Sequence, residues 1–73
     1  QWSPSRLTQW ASSIGAHTEQ LVGAILRERT HPEQGYRSCL GIIGLAKRFG
    51  AERLEAAALR ALEIQARNYP SVK

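Results

Sequence analysis

The chain contains no aspartate: all six of its acidic residues are glutamates. Many hydrolytic triads, metal sites and carboxylate clusters use an aspartate, so glutamate alone has to do any acid work. Cysteine is almost as scarce. The single Cys39 excludes an internal disulfide, and one Cys with two His, His17 and His31, falls short of the recurrent structural zinc sets. A reduced, cytoplasmic compartment is the expected setting. No apolar run approaches the ~20 residues of a membrane span, and no basic start followed by an apolar stretch suggests a signal segment. A dense block of one charge is missing too. Ten Lys and Arg against six Glu give a net charge of +4, spread along the chain, which reads as solubilising surface with some attraction to acidic partners or phosphates. At 73 residues there is room for one domain, close to the lower limit for a core without disulfide or metal.

What is present is helical periodicity. Four patterns follow one another, and no segment sustains strand alternation. The first, SPSRLTQWASSI, has Ser3 as cap and Pro4 at the first helical position, then Leu7, Trp10, Ala11 and Ile14 at helical spacing, with Gly15 as the stop. The second runs from Ala16 or Thr18 to Arg29, with Leu21, Val22, Ile25 and Leu26 on one face. The third opens with Thr30 or His31 as cap and carries Tyr36, Cys39, Leu40, Ile43, Ala46 and Phe49 on its apolar stripe until Gly50. The fourth, AERLEAAALRALEIQARN, has Glu52 and Glu55 in its first turn and an expected inner stripe of Leu54, Ala57, Ala61 and Ile64. The fold expected is all-α, a small bundle of about four antiparallel helices joined by short loops. The abrupt start at Gln1 and the break at YPSVK suggest a fragment of a longer protein, with residues 1–73 forming one domain.

HPEQGYRSCLG, residues 31 to 41, gathers side chains from which active sites are built. On a helix the group separates. Cys39 lies eight residues beyond His31, about 12 Å along the axis, whereas a thiolate–imidazole pair needs contact at about 3 Å. Cys39 is expected in the core, His31 at a cap or loop, and Tyr36 at the core boundary. Gly41 and Gly44 cost a helix stability, and their expected use is close packing on the Ala56–Ala58 run of the fourth helix, a partner's groove being the alternative. Leu59 projects among charged residues, where with Trp2 or Trp10 and nearby Arg it would form a docking patch.

The string HPEQGYRSCLGIIGLAKRFGAERLEAAALRAL closely resembles the C-terminal region of IstA-type insertion-sequence transposases, over residues 15–73. HPEQGYR, LAKR and GAERLE are its distinctive elements, and the first helix matches more weakly. The resemblance implies a multidomain recombinase whose DNA-binding and metal-dependent catalytic domains lie outside this chain, and a dedicated AAA+ ATPase partner, IstB. The expected function is a non-catalytic interaction module, with no catalytic residue, cofactor or metal of its own. It would engage the ATPase, or other transposase subunits, in DNA transposition. Arg37, Lys47, Arg48, Arg53 and Leu59 are the expected partner-binding residues. The competing expectation is auxiliary DNA binding through Arg27, Arg29, Arg37, Lys47 and Arg48, although no helix face dense in Asn, Gln and Arg suggests base readout.

Overall fold

The computed structural model describes residues 3–27 and 32–68, with side chains through residue 65. Its helices are α1 (Pro4–Ile14), α2 (Ala16–Arg27), α3 (Pro32–Phe49) and α4 (Ala51–Asn68). Among the described residues only Ser3, Gly15 and Gly50 lie outside a helix. The all-α expectation holds. Thr30 and His31, the alternative caps of the third helix, lie outside the described residues, as do Trp2 and Arg29.

Helix ends follow from local chemistry. Ser3 is extended and its hydroxyl accepts from the Arg6 N–H at 3.3 Å, with Pro4 in the first turn. Gly15 and Gly50 each end one helix and begin the next. The Gly15 N–H donates to the Ala11 carbonyl at 3.2 Å while its own carbonyl accepts from Glu19 at 3.0 Å. Gly50 bridges Ala46 and Leu54 in the same way, at 2.8 and 3.1 Å, and its φ of 91° is a conformation that favours glycine.

Helix α2 packs against each of the other three. Leu7 and Ala11 of α1, Val22 of α2, and Cys39 and Ile43 of α3 form the buried cluster, with Trp10, Ile25, Leu26, Tyr36 and Ile42 against it. Cys39 is fully buried, as its place on the apolar stripe predicts, and burial pushes its thiol pKa up.

Three expectations are corrected. On α4 the inward face is Leu54 and Ala58, with Ala61 and Leu62 half-buried, whereas Ala57 and Ile64 are exposed. The helix is turned so that Glu55 also faces α2. On α3, Cβ atoms at Gly41 and Gly44 would meet nothing within 4 Å, so neither packs on α4. Close approach belongs instead to Gly35, where a Cβ would sit 3.1 Å from the Ile25 carbonyl oxygen. Finally, on α3 Leu40 and Phe49 are 37% and 47% exposed, so neither belongs to the buried stripe.

Glu55 fixes α4 to α2. Gly15 stands where a capping side chain would be and has none, leaving the first N–H groups of α2 without a local acceptor. The Glu55 carboxylate supplies one from α4. One oxygen accepts from the His17 N–H at 2.6 Å and lies 2.8 Å from His17 Nδ1. The other accepts from the Thr18 N–H and hydroxyl, both at 2.9 Å. This satisfies Thr18, the one buried polar residue among those described, and places negative charge at the positive end of the helix dipole. Desolvation works to raise the Glu55 pKa. The bonds from His17 and Thr18 and the charge on His17 outweigh it and hold the carboxyl at about 2. A Cβ at Gly15 would fall on this carboxylate, so a larger residue there would displace Glu55 from its bonds to His17 and Thr18.

Candidate functional site

The connection at Gly50 brings the last turn of α3 beside the first turns of α4. Between them lies an open cleft of about 310 Å³ lined by Leu45, Phe49, Arg53, Leu54 and Ala57. Only Leu54 is buried, and Leu45 and Phe49 stand 46% and 47% exposed. The Arg48 guanidinium lies 5.2 Å from the centroid of the Phe49 ring, a cation–π distance that keeps a positive charge at the rim. A second open depression, lined by Ala56, Ala57, Leu59, Arg60 and Glu63, joins the first at Ala57. The two make one track along the outer side of α4, apolar at Leu45, Phe49, Ala57 and Leu59, with Arg48, Arg53, Arg60 and Glu63 along it.

The expected partner-binding residues are all exposed but do not form one cluster. Arg53 lines the cleft, Arg48 borders it through Phe49, and Leu59, 39% exposed, lines the adjoining depression. Lys47 lies in the last turn of α3. Arg37 precedes it by ten residues, about 15 Å along the helix, and is not drawn to the cleft. Trp10 is half-buried and packs against the core cluster. Leu45 and Phe49, the apolar centre of the cleft, were not among the expected site residues. Leu45 lies outside the i, i+3, i+4 stripe of α3, and that was the available signal.

The arrangement is suited to contact. Leu40, Leu45, Phe49, Leu59 and Ile64 are exposed, while Leu7, Val22, Ile43 and Leu54 are the large aliphatic residues in the core. Leu45, Phe49 and Leu59 thus form an exposed apolar patch around the cleft and its adjoining depression. Interfaces favour such a centre with arginine at its edge. Among the described residues, no three His, Cys, Asp or Glu side chains are grouped to hold a metal ion.

Comparison with known proteins gives relatives along the whole chain. It is 55% identical over all 73 residues to "Putative transposase y4uI" of Sinorhizobium fredii, covering 14% of that protein. It is 47% identical over 73 residues to "Putative transposase for insertion sequence IS1162" of Pseudomonas fluorescens, covering 13% of it. Over 64 residues, 88% of the chain, it is 48% identical to "Putative transposase for insertion sequence IS408" of Burkholderia multivorans, covering 12% of that relative. The chain thus spans about a seventh of the curated relatives it matches. No protein-family model matches it, and no solved structure does.

Proposed function

We propose that this chain is a non-catalytic helical module of an IstA-type insertion-sequence transposase, and that it engages the element's AAA+ ATPase helper, IstB, during DNA transposition. The observation that carries the reading is the open cleft, where half-exposed Leu45 and Phe49 lie beside Arg48 and Arg53 in a protein whose relatives are named as transposases. Chemistry on DNA belongs to other domains of the full-length protein. The buried Cys39 thiol and the fully engaged Glu55 carboxylate do not form an accessible nucleophile and base. The module acts by recruitment, raising the local concentration of the helper at the transposase core.

Titration of the full-length protein against the helper, with and without ATP, tests this. Saturable binding that Arg53→Glu weakens is the expected result. Failure of folded protein to bind the helper at high micromolar concentration overturns the reading. Auxiliary DNA binding through Arg27, Arg29, Arg37, Lys47 and Arg48 predicts instead a duplex shift that falls steeply with salt and is indifferent to the helper.

A further inference from the structure

Resting on that reading, we infer that the track along α4 is the seat of an acidic amphipathic helix contributed by the partner. On α4, Arg53, Ala57, Arg60 and Ile64 recur at spacings of four, three and four, so they share one face, and all four are exposed. That face is about 16 Å long, the length of roughly three helical turns. Phe49 and Leu45 extend it across the Gly50 corner onto α3. The α3–α4 end of this face is an apolar groove of the kind into which an amphipathic helix lays its own apolar face, and the rest continues along α4 with arginines at its edge.

Charge complementarity chooses the kind of helix. Arg48, Arg53 and Arg60 border the track, and between Gln34 and Phe49 helix α3 contains no acidic residue. On α4, Glu63 lines the second depression and Glu52 lies in the first turn, so three arginines stand against one lining acid, while Glu55 is turned inward to cap α2. Arg53 and Arg60 are seven residues apart, about 10 Å, which matches two carboxylates two turns apart on a partner helix. A large apolar residue between those carboxylates would enter the Leu45–Phe49–Ala57 cleft. A second copy of this chain fits less well, since a two-fold interface would set the same arginine rim against itself. Duplex DNA would satisfy the arginines and leave Leu45, Phe49 and Ile64 uncovered.

The test uses the full-length protein and short overlapping peptides spanning the helper. One acidic, helix-forming peptide is expected to bind and to compete with the intact helper. Arg53→Glu and Arg60→Glu should each weaken that peptide by about tenfold or more, as interface hot spots do, without changing the thermal melt. Replacing the peptide's paired carboxylates with lysines should restore binding to the Arg53→Glu, Arg60→Glu double variant. If the helper binds but no acidic peptide competes, or if the charge swap fails to rescue, the inference falls and the recruitment reading stands. If the folded protein does not bind the helper at all, both fall. Concentration-dependent dimerisation abolished by Phe49→Ser, or DNA binding abolished by Arg53→Glu, would overturn the inference in favour of that occupant.

Discussion

Two residues, Glu55 and Cys39, carry chemistry that looks functional and is structural. Glu55 receives three hydrogen bonds and lies beside His17, and its carboxyl is held at about 2 against an ordinary 4.5. Because the folded pKa is the lower one, the contribution to stability is fully present above pH 4.5. Between 4.5 and about 2 the unfolded chain takes up a proton that the folded chain refuses, and stability falls with pH. Glu55→Gln is therefore expected to melt at a lower temperature at pH 7 and to lose this part of the acid sensitivity, read by circular dichroism melts from pH 7 to pH 2.5. An unchanged acid profile would mean that the carboxylate does not hold α2 and α4 together. Cys39 gives a complementary expectation. With its side chain fully buried and its thiol pKa raised, it should react with alkylating reagents only as the protein unfolds. Cys39→Ser, which puts a more polar group among Leu7, Val22 and Ile43, should cost about 1–3 kcal/mol in denaturant titration.

At the scale of the element, the three glycines of α3 separate into two kinds. Gly41 and Gly44 are exposed with open space at their Cβ positions, so Gly41→Ala and Gly44→Ala should each stabilise the fold by about 1 kcal/mol through helix propensity. At Gly35 a methyl group would stand 3.1 Å from the Ile25 carbonyl oxygen, so α2 and α3 would have to part by a few tenths of an ångström, and Gly35→Ala is expected to fall below Gly41→Ala and Gly44→Ala. Chemical denaturation of the three variants checks this order. The same contrast shows what sequence could and could not reveal. Helix number, the Ser3 cap, both glycine stops and the buried Cys39 follow from periodicity and local chemistry, and they were legible. The use of Gly41 and Gly44 depends on which neighbour faces them, which no spacing encodes. The α4 face was misread because an alanine-rich helix offers several apolar stripes of nearly equal merit. Here a tertiary contact, Glu55 reaching His17 and Thr18, selects the Leu54–Ala58–Leu62 side. A signal for that contact did exist: a helix opening at Gly15 lacks its own cap and requires an acceptor from elsewhere.

For the molecule as a whole, the division between core and surface decides which substitutions unfold the protein and which only blind it. Leu7 is fully buried in the cluster joining α1, α2 and α3, and Leu7→Ala should cost about 2–5 kcal/mol, enough to threaten so small a core. Phe49 is the larger side chain, yet it is half outside, covering one wall of the α3–α4 cleft under Arg48. Its removal takes away only about half a side chain of buried area, and Phe49→Ser should cost about 1–2 kcal/mol, less than Leu7→Ala. Leu45→Gln should behave alike, since its side chain lies on the same open wall. If the cleft serves contact, these two variants will stay folded with a modestly lowered melt and lose affinity for the helper by about tenfold, as expected for anchors at an interface centre. A loss of stability as large as that of Leu7→Ala, in parallel with binding, would instead assign Leu45 and Phe49 to the core, and unchanged binding would leave the cleft without a role in contact.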